Sequence, residues 1–269
     1  MDIALFAAVL LCIGAAAGVL AGLLGVGGGI VLVPAFFYAF RALGFAGPNL
    51  MQICVATSLA TIVVTSIRSV TAHRRRGSVD MDVLKTWAPG IVVGALLGTW
   101  LATMLDTRGL QAVFAGLALI VALYLAFGSG GLRLGSEMPR GAERAGVSGL
   151  IGMLSTLMGI GGGSLGVPTM SLYGVPIHRA VGTAAGFGLA IAVPSTLGFL
   201  IAGVEGAPPL TVGSVNLPAF ALIVAMTLVT TPWGVDLAHR MDPAPLKRVF
   251  AVFLFLVALN MGAEALGLL

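Results

Sequence analysis

Ala21-Gly22-Leu23-Leu24-Gly25-Val26-Gly27-Gly28-Gly29-Ile30-Val31-Leu32-Val33-Pro34 has a second copy half a chain later. That copy reads Leu157-Met158-Gly159-Ile160-Gly161-Gly162-Gly163-Ser164-Leu165-Gly166-Val167-Pro168. In a chain of 269 residues, such an offset points to two related halves. Each half contributes one glycine-broken segment to a shared place in the molecule.

The surroundings of both copies place them in lipid. Apolar residues make up 58% of the chain and charged residues 9%, against about 25% charged in an ordinary soluble domain. The 39 glycines have no collagen period and are mixed with Leu, Val and Ala, as in closely packed membrane helices. A net charge of +4 forms no continuous basic face, because the arginines sit in short loops, so nucleic acid is excluded as a partner. Cys12 and Cys54 fall in apolar stretches without a CxxC spacing and are read as structural. The N-terminal stretch has an acidic Asp2 and no basic region before its apolar run. It reads as a retained membrane segment and not as a cleaved signal peptide.

Eight intervals lack Asp, Glu, Lys and Arg: 3–40, 42–67, 86–105, 109–132, 145–178, 180–204, 206–235 and 249–263. One crossing needs about 20 apolar residues, so six intervals fit one helix each. Intervals 3–40 and 145–178 are too long for one helix and short for two full ones. With glycines near their middles, they read as hairpins of shortened helices. The expectation is an all-α membrane protein with five helical segments per half, ten in all.

Basic residues orient the spans. The loop holding Arg68, His73, Arg74, Arg75, Arg76 and Lys85 is cytoplasmic, as are the loops with Arg133, Arg140 and Arg144 and with His239, Arg240, Lys247 and Arg248. The turns at Asp106 to Arg108 and at Glu205 are external, and so are both termini. Arg41 is the exception, falling near the outer face. Five crossings per half would invert the second half relative to the first. The predicted organisation is a first transmembrane repeat over 1–132, a cytoplasmic linker over 133–144 and a second, inverted repeat over 145–269. Further echoes support it: Val55-Ala56-Thr57 with Val181-Gly182-Thr183, Gly77-Ser78-Val79-Asp80 with Gly213-Ser214-Val215-Asn216, and Asp106, Leu110 and Phe114 with Asp242, Leu246 and Phe250.

A broken helix in lipid leaves backbone groups that need partners. Where the helix restarts, free N–H groups and the positive end of a dipole face the break. Gly27, Gly28 and Gly29, with Gly161, Gly162, Gly163 and Ser164, are therefore the candidate substrate-binding segments. Two such starts, inverted, would hold a small anion without a lysine. Gly25 and Gly159 shape the breaks, and Pro34 and Pro168 would kink the helices that follow. Pure helix packing is the competing meaning of these glycines. Gln52, Thr57, Ser58 and Thr183 are side-chain candidates, Thr57 and Thr183 in matched places; their plain alternative is a hydroxyl bonded to its own helix. His178 and Arg179 could form an electrostatic funnel at the inner edge, or merely anchor a helix there. Dinucleotide binding fails for want of a βαβ setting.

No motif for an enzyme, a metal or a cofactor is present, and no acidic residue is buried deep in a span. The implied partners are a small anionic substrate and membrane lipid. Coupling to protons or another ion stays open, as does assembly as a homodimer. A non-transporting membrane scaffold is the competing class of function.

The doubled glycine segment, with the Ala56-Thr57-Ser58 and Val181-Gly182-Thr183-Ala184 steps, resembles the sulfite exporter TauE/SafE family over essentially the whole chain. That resemblance implies a transporter of the bacterial inner membrane. Its cargo would be sulfite, sulfoacetate, a related organosulfonate or another small organic anion, with export the implied direction and import an alternative.

Overall fold

A computed structural model describes residues 3–24, 28–127, 133–135, 137–240 and 243–268. Among them are ten helices: α1 (Ile3–Leu24), α2 (Gly29–Ala42), α3 (Leu50–Arg75), α4 (Met81–Met104), α5 (Thr107–Phe127), α6 (Gly141–Leu157), α7 (Gly163–Leu172), α8 (Ile177–Ile201), α9 (Leu217–Arg240) and α10 (Pro243–Ala265). The strands among the described residues form one small hairpin before α9, with β1 (Thr211–Val212) paired antiparallel to β2 (Val215–Asn216). Interval 206–235 therefore starts with a hairpin, and its helix begins only at Leu217.

Among the described residues, six segments are long and apolar enough to cross a membrane: α3, α4, α5, α8, residues Leu217–Gly234 of α9 and Arg248–Ala265 of α10. α2 and α7, at 14 and 10 residues, fall short of the ~20 a crossing needs. α3 is the central helix, with 78% of its apolar window buried, against 28% for those of α9 and α10. The outer helices expose apolar stripes at helical spacing, such as Val93, Leu97, Trp100 and Met104 on α4. In water these stripes would be costly; facing lipid they are the expected outer surface.

Packing pairs the halves with each other. α1 runs along α9 and α4 along α6; α3 crosses α8, and α5 lies on α10. α2 rests on α3 as α7 rests on α8. Exchanging the first five helices for the second five leaves this set of pairs unchanged, so the halves are related by helix-pairing symmetry. Small residues make the closest approaches. A side chain on Gly94 of α4 would lie 1.9 Å from the Gly149 carbonyl oxygen of α6, so even an alanine would force the two helices apart.

Arg41, the exception among the arginines, is neutralised. It forms an ion pair with Glu264 of α10 and lies over the Phe37 ring, 5.5 Å from its centre. Glu264 also accepts a hydrogen bond from Gln111 of α5 at 3.1 Å.

Candidate functional site where the two glycine segments meet

The second glycine segment is wedged between the halves. α6 stops at a glycine with φ of +64°, Gly159. Ile160 N–H donates to Ser155 O (2.9 Å) and Gly159 N–H to Thr156 O (2.9 Å), which satisfies the last carbonyls of the helix. Space demands the same glycine, since a side chain would meet Val33 Cγ2 at 2.7 Å and Val55 Cα at 3.1 Å. The chain passes Ile160, Gly161 and Gly162 and restarts as α7 at Gly163, where Gly166 N–H donates to Gly162 O (2.8 Å).

The first segment arrives at the same place. Gly28, with φ of +73°, precedes α2, and Val31 N–H donates to Gly28 O at 3.1 Å. A side chain on Gly29 would lie 2.6 Å from Gly159 O and 3.0 Å from Ile160 Cα. Ser58 of α3 donates to Gly159 O at 2.7 Å. The starts of α2 and α7 thus flank one short segment, 159–162. Gly25 and Gly27 lie outside the described residues.

Each restarting helix carries its proline in the second turn, Pro34 in α2 and Pro168 in α7. Neither can donate to the carbonyl four residues back, which leaves Ile30 and Ser164 without that intrahelical bond. The N–H groups of Gly163, Ser164 and Leu165 have no partner among the described residues, as expected at a helix start.

Most buried threonines here are spent on their own helices. Thr61 donates to Thr57 O, Thr65 to Thr61 O, Thr99 to Ala95 O and Thr230 to Met226 O. Ser155 and Ser164, on either side of the 159–162 break, do not follow: both Oγ atoms are buried without a hydrogen-bond partner among the described residues, as is Thr196 Oγ1 on α8. Thr156 and Ser195 bond to each other at 2.9 Å. Ser155 and Thr156 escape a sequence reading that looks only beyond the glycines. Their signal is a pair of hydroxyls in the turn leading into Gly159. The donors are one-sided: the first-half counterparts of Ser155 and Ser164, at the same offset, are Ala21 and Ile30.

Thr57 and Thr183 do something neither reading of the sequence foresaw. Thr57 Oγ1 accepts from the backbone N–H of Asn216 (3.0 Å), and Thr183 Oγ1 accepts from that of Asp80 (2.8 Å). Asn216 and Asp80 are the matched ends of the repeated Gly-Ser-Val step. Each caps the helix it precedes: Asp80 Oδ1 accepts from Val83 N–H at 3.1 Å and Asn216 Oδ1 from Ala219 N–H at 3.1 Å. Each half therefore clasps the fourth helix of the other by one threonine. Only one clasp carries charge, through the Arg179–Asp80 ion pair at 2.8 Å.

The remaining candidates lie apart. His178 and Arg179 are exposed at the start of α8. Gln52 is buried near the opposite end of α3's span, donating to Leu105 O (2.5 Å) and Ala102 O (3.2 Å). Among the described residues, no group of three or more His, Cys, Asp or Glu is placed to hold a metal.

The model of the family described as sulfite exporter TauE/SafE matches residues 10–261. The chain belongs to the TauE/SafE family. A probable membrane transporter protein of Haemophilus influenzae is 32% identical over 263 residues, covering 96% of this chain and 99% of the relative. Another, from Methanocaldococcus jannaschii, is 26% identical over 261 residues and 94% of each chain. No solved structure matches the chain. The protein is a multi-pass inner-membrane transporter for a small anion, and not an enzyme.

Proposed function

We propose that this TauE/SafE protein is a secondary transporter that moves sulfite or an organosulfonate such as sulfoacetate out of the cytoplasm by alternating access. Residues 1–132 and 145–269 act as inverted repeats about the linker 133–144, with both termini periplasmic. The meeting of the α2 and α7 starts across residues 159–162 carries this reading. It gathers dipole ends and helix-start N–H donors at one buried place, with Ser155 Oγ and Ser164 Oγ in the adjoining turns and unpartnered among the described residues. An anion held by dipoles and hydroxyls, without a fixed cation, can be both bound and released. The reciprocal clasps of Thr57 and Thr183 suit inverted halves that rock against each other, and the three full-length spans of each half, in α3–α5 and in α8–α10, supply the odd number that inversion requires. Counterflow with purified, reconstituted protein against sulfite, sulfoacetate, thiosulfate and taurine tests the reading. Saturable exchange of sulfite or a sulfonate is the expected result; protein-free leak rates for all four would refute it.

A further inference from the structure

The two threonine clasps are alike in sequence position and unlike in chemistry. At the spacing that matches Thr183 to Thr57, Arg179 falls on Ile53, Gly182 on Ala56 and Gly186 on Ala60, while Asp80 is matched by Asn216. Asp80 Oδ1 caps α4 by accepting from the N–H groups of Asp82 (3.2 Å) and Val83 (3.1 Å), which leaves Oδ2 for Arg179 of α8 at 2.8 Å. Asn216 is neutral, and its amide nitrogen is taken up locally, donating to Pro209 O (3.2 Å) and Thr211 Oγ1 (3.0 Å). With Ile53 in the place of Arg179, the second clasp has no ion pair to make.

Packing leans the same way. A side chain on Gly182 would lie 2.4 Å from Ser78 O, and one on Gly186 would lie 2.7 Å from Leu84 Cδ1. The bare Cα atoms of α8 therefore let α4 and the residues before it come close, whereas α3 carries the methyl groups of Ala56 and Ala60. Accordingly α4 lies along α8 more extensively than α9 lies along α3.

In a transporter that rocks between two like repeats, equivalent contacts close the two faces, and a difference between them sets the resting balance. We propose that the Arg179–Asp80 pair is a latch that keeps the cytoplasmic face shut at rest, while the matched periplasmic clasp of Thr57 and Asn216 is the first to open. This rests on the alternating-access reading and adds to it which face is favoured. Arg179 is 54% exposed and Asp80 20%, so the pair shifts the balance by about two- to fivefold.

Matched reporters exist on the two faces. Cys54 and Ala180 each lie three residues before a clasping threonine, and both are fully buried. In lipid vesicles of known orientation, an impermeant thiol reagent on the periplasmic face reads Cys54 in a Cys12→Ala protein. On the cytoplasmic face it reads Ala180→Cys in a Cys12→Ala, Cys54→Ala protein. Asp80→Asn removes the charge and keeps a good capping residue; Arg179→Gln removes the other partner. Each should speed cytoplasmic labelling of Ala180→Cys about two- to fivefold, and the two together no more than either alone, with Cys54 labelled no faster. Unchanged labelling in both variants would overturn the latch, as would equal acceleration at both reporters, which is what a merely loosened fold gives. Sulfite exchange by the parent in parallel vesicles separates the two claims. Saturable exchange with unchanged labelling removes the latch alone, whereas exchange at the protein-free rate removes the transport reading and the latch with it.

Discussion

At the residue scale, the two matched threonines change meaning between sequence and structure. Their positions suggested donors to an anion; their oxygens hold the backbone N–H groups of Asn216 and Asp80. Thr183→Val should therefore strand the half-buried Asp80 amide, a loss near the lower end of the about 1–3 kcal/mol for an unsatisfied buried donor. Thr57→Val should do the same to Asn216, and serine at either place should restore most of the loss. Thermal unfolding in detergent measures this, and valine variants as stable as the parent would contradict it. Glycine shows the same limit of sequence reading. Gly162 was legible as a special position, yet its bare Cα also admits α8, since a side chain would lie 2.4 Å from Phe187 Cβ and 2.5 Å from Ala184 O. Tight packing and ligand approach leave the same mark in a sequence, and only the neighbours tell them apart.

At the element scale, much was readable because lipid imposes lengths. Charge-free intervals pointed to ten helices, and among them α2 and α7 are short and restart at the glycines. The hairpin of β1 and β2 was not readable: four strand residues lie inside one long uncharged interval, and hydropathy does not separate them from helix. Nor was the tie between α2 and α10, which joins Arg41 to Glu264 across 222 intervening residues. That pair holds a shortened arm to a full-length helix. Arg41→Gln should lower stability by about 1 kcal/mol, a modest amount because the arginine is half-exposed. Arg41→Gln combined with Glu264→Gln should recover part of it, since the stranded carboxylate is then removed. A double-mutant cycle by thermal unfolding reads the coupling, and strictly additive effects would show that the two side chains do not interact.

At the scale of the whole molecule, the pairing of α1 with α9 and of α4 with α6 makes the halves mutually dependent. Neither can move without sliding past the other. The proposed inversion predicts opposite exposure of matched turns. In a Cys12→Ala, Cys54→Ala background, Arg75→Cys should react with an impermeant thiol reagent only from the cytoplasmic face, and Glu205→Cys only from the periplasmic face. Labelling of both from one face would contradict the topology. The central claim, that the two helix starts hold the transported anion, is tested most directly at Ser164. Its hydroxyl is buried and has no partner among the described residues, so removing it takes no visible hydrogen bond from the fold. Sulfite exchange by reconstituted parent and Ser164→Ala protein should be saturable in both. The variant's half-saturation should rise about tenfold or more, the worth of one hydrogen bond to a charged ligand, at unchanged melting temperature. An unchanged half-saturation, or exchange at the protein-free rate by the parent, would contradict the account.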